Sequence, residues 1–126
     1  MARPKANELT ERELEVIQVF WGHGQQTASE IQQQLEKQGR KLAYTTVATL
    51  VKILLDKKFI SQTNKVRPFS YEPSRSFEDV SGSIVGDLIS RVFGGSREQL
   101  LIRLMKQKKL TKKERKILED ILKDNS

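Results

Sequence analysis

The sequence predicts a mainly α-helical protein with an N-terminal winged helix-turn-helix, made of three helices and a short β-hairpin wing, followed by three C-terminal helices. Three observations predict this fold class. Capping boxes, in which Ser or Thr is followed three positions later by Glu or Gln, mark helix starts at Thr10, Thr27, Ser96 and Thr111. Apolar residues recur at helical spacing after each of these starts. After Phe59 the spacing changes to that of two short strands.

The first three helices follow from their apolar stripes and from the glycines between them. The stripes expected to be buried are Leu14, Ile17 and Trp21 in the first helix, Ala28, Ile31 and Leu35 in the second, and Val47, Leu50, Val51 and Leu54 in the third. Gly22 and Gly24 end the first helix, and Gly39 suits a left-handed C-cap of the second. We expect the third helix to run from about Tyr44 to Lys58.

The segment after the third helix has the pattern of a β-hairpin. Residues 60–64 and 69–73 are the two expected strands, and Lys65–Pro68 is the tip between them. Three helices followed by a hairpin are the element order of a winged helix-turn-helix. Residues 1–75 are therefore expected to form one domain.

Residues 76–126 contain three amphipathic helices and no strand pattern. A segment of about 50 residues buries too little apolar surface to be stable alone. We therefore expect these helices to form a dimerisation domain that closes against a second copy of the chain. The expected dimerisation residues are Ile84, Leu88, Phe93, Leu101, Leu104, Ile117, Leu118 and Ile121.

Positive charge is concentrated in the third helix and the wing. The 126-residue chain has 23 Lys and Arg against 16 Asp and Glu, a net charge of +7. The segment 40–75 alone has eight basic side chains against two acidic ones, Asp56 and Glu72, a net charge of +6. A basic helix and wing are the electrostatic footprint of a protein that binds the phosphates of DNA.

The third helix also presents side chains that suit DNA recognition. Threonine hydroxyls can bond to base edges, and the threonine methyl can contact a thymine methyl, while tyrosine and lysine can reach the phosphate backbone. At the wing, cations are suited to phosphates or to the minor groove. The predicted DNA-binding residues are Tyr44, Thr45, Thr46, Thr49, Lys52, Lys65 and Arg67.

Composition argues against most enzymatic chemistry. The chain contains no cysteine and a single histidine, His23, which lies between two glycines. We find no catalytic constellation, no metal site and no motif for a cofactor. No apolar run is long enough to cross a membrane, and no signal peptide is apparent, so we expect a cytoplasmic protein without membrane insertion.

Several segments, in order and at matching distances, resemble the BlaI/MecI family of penicillinase repressors over nearly the whole chain. The family signature is carried by Leu9–Ile17 with Trp21, Thr27–Ile31, Tyr44–Leu54, Lys57–Ile60, Arg67–Pro73 and Val92–Ser96. This resemblance implies a homodimeric transcriptional repressor without enzymatic activity. It also implies a pseudo-palindromic operator of the TACA/TGTA type, with the three threonines in the recognition helix.

The resemblance also implies a partner, because repression in the family is typically relieved by a membrane sensor that leads to proteolysis of the C-terminal region. The Asn-Phe pair that is cut in the family corresponds to Arg103-Leu104 in this chain. The Cys-x-Cys motifs of the copper-responsive branch are absent, because the chain has no cysteine. The resemblance therefore predicts the fold and the DNA-binding residues of this chain, but it does not predict the inducing signal.

Two other functions remain open at this point. One is a winged-helix adaptor that binds proteins, against which the basic wing argues. The other is a MarR-like regulator that responds to a small ligand.

Overall fold

The computed structural model describes residues 9–107 and 109–124. The elements are α1 (Glu11–His23), β1 (Gln26–Thr27), α2 (Ala28–Lys37), α3 (Tyr44–Asp56), β2 (Ile60–Gln62), β3 (Ser70–Pro73), α4 (Phe77–Val92), α5 (Arg97–Met105) and α6 (Lys112–Asp124). Three helices and a small antiparallel sheet precede three further helices, which confirms the predicted fold class.

The helix starts lie where the capping boxes predict them. The Thr27 hydroxyl accepts the backbone N–H of Glu30 at 3.2 Å, and the Glu30 carboxylate accepts the N–H of Thr27 at 2.9 Å. The same reciprocal pair closes the start of α6 at Thr111. At the end of α2, Gly39 has a φ of 86°, the left-handed conformation expected for it.

The sheet has one strand more than the predicted hairpin. Its order is β1-β3-β2, and both pairs are antiparallel. In the first pair Gln26 lies opposite Tyr71, and in the second Ile60 lies opposite Pro73. The additional strand β1 has only two residues, too few to show any alternation of apolar and polar side chains. It holds the start of α2 beside the wing.

The third helix ends earlier than expected. It stops at Asp56, and Lys58 then adopts a φ of 68°, a left-handed conformation that glycine usually occupies. This turn lets the N–H of Phe59 reach the carbonyl of Leu54 at 2.9 Å and directs the chain into β2.

The contacts divide the chain into two compact units, Met1–Ile84 and Val85–Ser126. The core of the first unit is formed by Leu9, Val16, Ile17, Val19, Phe20, Ala28, Ile31, Leu35, Val47, Leu50, Val51, Leu54, Phe59, Ile60 and Val80. It therefore draws on α1, α2, α3 and the sheet, and also on α4.

The first turns of α4 pack into this core. Val80 is completely buried, and the Arg75 side chain before it is 8% exposed. The Arg75 guanidinium lies 4.7 Å from the centre of the Phe59 ring and pairs with the Asp79 carboxylate at 2.7 Å. The Trp21 indole N–H donates to the Arg75 carbonyl at 3.0 Å. The division between the units thus falls later than residue 75, where the sequence places the domain boundary.

A buried ion pair joins the start of α1 to the end of α3. The Glu13 carboxylate, 5% exposed, accepts from the Lys57 ammonium at 2.7 Å and from the Thr10 hydroxyl at 2.7 Å. Burial by itself raises the pKa of Glu13, but the hydrogen bonds from Lys57 and Thr10 and the Lys57 charge outweigh it. The net pKa of Glu13 is therefore lower than its ordinary value, and the carboxylate is ionised at neutral pH.

Candidate nucleic-acid interface

The α3 helix is amphipathic, and its packing fixes which side chains face solvent. Its buried residues are Val47, Leu50, Val51 and Leu54. Thr45, Thr49 and Lys52 are exposed, Thr46 is partly buried at the edge of the packed face, and the Tyr44 side chain at the first turn is 49% exposed. The residues predicted from the sequence to contact DNA on this helix therefore lie on or beside its exposed side.

The hydroxyls of this face are not equivalent. Thr49 donates its hydroxyl proton to the Thr45 carbonyl, one turn earlier in α3, at 2.8 Å. Its hydroxyl oxygen and its methyl group can still contact a ligand, but its proton is used inside the helix. Thr45 and Thr46 are therefore the better hydroxyl donors of the set.

The wing is organised by Asn64, which the sequence analysis did not single out. Its side-chain amide donates to the carbonyls of Val66 and Pro68 at 3.1 Å each, and its side-chain oxygen accepts the N–H of Ser70 at 2.8 Å. These bonds close the tip on both sides. Asparagine in a hairpin tip is a common turn signal and could have indicated this role.

The two wing cations are held outside this turn. Lys65 and Arg67 are both exposed, and the Arg67 guanidinium lies 5.4 Å from the centre of the Phe69 ring. A guanidinium over an aromatic face gains a modest attraction and keeps its donors available at the edge.

A cleft of about 490 Å³ brings the wing, the start of α2 and the start of α3 together. Its lining residues are Thr27, Ala28, Ser29, Tyr44, Arg67, Pro68, Phe69 and Tyr71. Of the predicted residues, Tyr44 and Arg67 meet here. The first backbone N–H groups of a helix have no acceptor within the helix and favour an anion. Ser29 and Tyr71 add hydroxyls to this cleft, and sequence reasoning missed both.

A second, shallower depression of about 350 Å³ lies on the other side of the exposed face of α3. It is lined by Arg12, Thr45, Thr46, Thr49 and Leu50. The three predicted threonines are thus gathered at one place, together with a cation from α1.

The positive charge of the segment 40–75 is partly compensated, contrary to the expectation from composition. Arg40 pairs with Glu15 at 2.9 Å, Lys57 pairs with Glu13, and the buried Arg75 pairs with Asp79. All three carboxylates lie outside the segment, so the charge of +6 overstates its field. The exposed cations of the segment for which no ion pair is found among the described residues are Lys41, Lys52, Lys58, Lys65 and Arg67.

The comparison with protein families decides what kind of protein carries this surface. The sequence model of the penicillinase repressor family matches residues 9–124, nearly the whole chain. The chain belongs to the penicillinase repressor family. Proteins of this family are DNA-binding transcriptional repressors, which confirms the resemblance in the sequence and the prediction that the chain is not an enzyme. Membership also favours DNA binding over the adaptor function.

Individual relatives agree with this assignment. The penicillinase repressor of Staphylococcus aureus is 25% identical over 122 residues, which are 97% of this chain and 96% of the relative. The solved DNA-binding domain of the repressor BlaI is 24% identical and superimposes with a TM-score of 0.52, over 62% of this chain and 93% of that domain. A RosR chain solved in a complex has a TM-score of 0.58 at 16% identity and covers 99% of this chain and 96% of its own length. The two structures show a shared fold.

The predicted dimerisation residues of this repressor differ in exposure. Ile84 packs against the core of the first unit, and Phe93, Leu101, Leu104 and Leu118 are partly buried. The exposed ones are Leu88 at 39%, Ile121 at 40% and Ile117 at 49%.

Three further apolar residues of α4 are exposed and were not predicted as dimerisation residues. Phe77, the first residue of the helix, is 54% exposed. Val85 is 44% and Val92 is 66% exposed. With Leu88 between them, they follow helical spacing along one side of α4.

The described part of the repressor contains no group of three or more His, Asp or Glu side chains that could hold a metal ion. Within the same residues, no helix is both long and apolar enough to span a bilayer.

Proposed function

We propose that this repressor acts as a homodimer in the cytoplasm and occupies a pseudo-palindromic operator of the TACA/TGTA type. Each protomer would place α3 in the major groove of one half-site and the wing on the adjacent backbone, and the dimer would set the spacing of the half-sites. The observation that carries this proposal is the common cleft of Tyr44 and Arg67, because it joins the start of α3 to the wing on a single surface.

Base reading is assigned to the threonines of α3. Thr45 and Thr46 supply hydroxyl groups whose protons are not committed to the helix by any bond found among the described residues, and Thr49 supplies a methyl group and an acceptor oxygen. Lys52 lies two turns after Thr45 on the exposed side and is assigned to the phosphate backbone.

The cleft between the wing and the starts of α2 and α3 is the proposed binding site of a DNA phosphate. Its hydroxyl donors are Ser29, Tyr44 and Tyr71, and its cation is Arg67. Charge-assisted bonds from a guanidinium to a phosphate are among the stronger hydrogen bonds in proteins. Lys65 at the wing tip extends the same positive surface. These contacts would set the register of the protein on the duplex without reading its sequence.

Dimerisation is assigned to the C-terminal helices. The exposed apolar side chains Leu88, Ile117 and Ile121, together with Val85 and Val92, would lose their contact with water in a dimer. Burial of such side chains contributes about 25 cal/mol per Å² of apolar surface. The proposal places the DNA-binding domain at residues 1–75, with the first turns of α4 completing its core, and the dimerisation residues after it.

The proposal includes no cleavage at the position where the family is cut. The peptide bond between Arg103 and Leu104 lies inside α5, and Leu104 is partly buried. A protease linked to a membrane sensor, as the resemblance implies, could cut this bond only after local unwinding of α5.

Two variants separate base reading from phosphate binding. Thr46→Ala is expected to reduce the preference for the operator over a scrambled duplex by about fivefold to tenfold, because a base contact is lost.

The double variant Lys65→Gln with Arg67→Gln is expected to weaken binding to both duplexes equally and to reduce the slope of log K against log salt by about 2. Fluorescence anisotropy over a salt series measures both quantities.

A double change of Lys112 and Lys113 to Gln, in α6, is the matched control for loss of charge and should leave the slope nearly unchanged. An unaltered sequence preference in Thr46→Ala would show that the reading face is assigned to the wrong residues. An unaltered slope in the wing variant would show that the wing does not contact phosphates.

A further inference from the structure

We propose that Arg12, at the start of α1, is a phosphate-binding residue of the DNA interface and flanks the recognition helix on the side opposite the wing. This inference rests on the proposed placement of α3 in the major groove. Arg12 is exposed and lines the 350 Å³ depression together with Thr45, Thr46 and Thr49. A cation from another helix therefore borders the threonines that are assigned to base reading.

Polar interactions among the described residues give Arg12 no part in stabilising the fold. It lies in the first turn of α1, where the helix dipole favours acidic side chains and disfavours a cation. Neighbouring residues of a helix point in different directions, so Glu11 and Glu13 are poorly placed to compensate it. Glu15, three positions later, pairs with Arg40. Within the described part of the chain, Arg12 has no ion pair or hydrogen bond of its own.

The acidic residues around Arg12 oppose phosphate binding less than their number suggests. The Glu13 carboxylate is buried and bonded to Lys57 and Thr10, and Glu15 is bonded to Arg40. Two of the acidic side chains of the first turns are thus compensated by cations. Among the described residues near the start of α1, this leaves Glu11 as the exposed carboxylate next to Arg12.

Geometry favours a phosphate over a base edge as the ligand. The major groove is about 12 Å wide and an α-helix with its side chains is about 10–12 Å across, so α3 would fill the groove. A residue on a helix packed beside α3 then meets the wall of the groove, which is the sugar-phosphate backbone. The planar guanidinium can donate two parallel hydrogen bonds to one phosphate. With Arg67 on the other side, α3 would be held between two arginine-phosphate contacts.

The test compares three variants of the full chain on the operator and on a scrambled duplex. Arg12→Gln is expected to weaken binding to both duplexes by about tenfold and to reduce the salt slope by about 1. Arg12→Lys should keep the slope and lose only part of the affinity, because the charge remains and the two-donor geometry is lost. Arg97→Gln is the control for the loss of one positive charge, because Arg97 also lies in the first turn of a helix, α5, and belongs to the second unit. It should bind like the wild type.

Thermal unfolding followed by circular dichroism adds a second readout. Because a cation opposes the dipole at this position, Arg12→Gln should unfold at the same temperature as the wild type or at a higher one. A lower unfolding temperature together with weaker binding would make Arg12 a structural residue and overturn the inference. Unchanged affinity and salt slope in Arg12→Gln would overturn the inference as well. A variant that loses affinity for the operator but not for the scrambled duplex would also overturn it, because a phosphate contact does not depend on sequence.

The same measurements distinguish a failure of the Arg12 inference from a failure of the proposed function. If the wild type prefers the operator and Arg12→Gln binds as the wild type does, only the proposed role of Arg12 is rejected. If the wild type binds the operator and the scrambled duplex equally, the proposed function is rejected. The affinity of Arg12→Gln for the scrambled duplex, compared with that of the wild type, still measures the contribution of Arg12 to phosphate binding.

Discussion

A chain that ends after Ile84 is expected to fold as a monomer and to bind a symmetric operator about 10²–10⁴-fold more weakly than the full chain. The whole core of the first unit lies before this residue, including Val80 and the Arg75–Asp79 pair. The second half-site is bound at a high effective concentration only when the two protomers are linked, and this gain is lost in the monomer. Analytical ultracentrifugation gives the oligomeric state, and anisotropy gives the affinity.

A chain that ends after Arg75 is the informative comparison. It lacks Val80, which is completely buried, and Asp79, which pairs with the buried Arg75. Burial of a valine side chain contributes about 1.5–3 kcal/mol, and the bond between Arg75 and Asp79 is lost as well, so this shorter chain should be clearly less stable than the one ending after Ile84. A dimer formed by the chain ending after Ile84, or operator affinity equal to that of the full chain, would contradict the assignment of dimerisation to the C-terminal helices.

Replacing Lys57 by Met is expected to destabilise the first unit by about 3 kcal/mol at neutral pH, because it leaves the buried Glu13 carboxylate without its cation. In the wild type the pKa of Glu13 is lowered by its hydrogen bonds to Lys57 and Thr10, despite the opposing effect of burial. A lowered pKa in the folded state contributes stability above the ordinary value of 4.5, and this stability is lost as the pH falls through the folded pKa.

The variant changes this pH dependence. Without Lys57, burial is opposed by the hydrogen bonds with Thr10 alone, so the pKa of Glu13 in the folded state should be higher than in the wild type. The destabilisation should then increase as the pH is raised from acid to neutral and nearly vanish where Glu13 is protonated in both proteins. Urea unfolding at several pH values measures this.

The Arg40–Glu15 pair provides the control for Lys57→Met. Its side chains are 44% and 35% exposed, so Arg40→Met should cost less than about 1 kcal/mol. A destabilisation by Lys57→Met that is the same at all pH values would show that the Glu13 charge is not its cause.

The parts of the fold that the sequence predicts are those set by local interactions. The capping hydrogen bonds join residues three positions apart, so Thr10, Thr27 and Ser96 reveal helix starts without any knowledge of the tertiary structure. The same holds for the left-handed Gly39. Strand β1 was missed because two residues carry no periodicity, and its existence depends on pairing with β3.

The site is predicted less completely because its charges are paired over long sequence distances. Lys57 meets Glu13 across 44 positions and Arg40 meets Glu15 across 25, so a segment sum could not show that these cations are compensated. Arg75 had the appearance of one more surface cation, yet it is buried on the Phe59 ring. Arg12 lies in a different helix from the threonines it borders, and only the packing of α1 on α3 brings it to the interface.

The measurement that tests the central claim most directly is binding of the full chain to its own upstream promoter and to a scrambled duplex by fluorescence anisotropy, over a salt series and with titration to saturation. The account predicts tight binding confined to a dyad of the promoter, with two chains per site and a steep dependence on salt. Equal affinity for both duplexes at every salt concentration, or saturation at one chain per site, would contradict it.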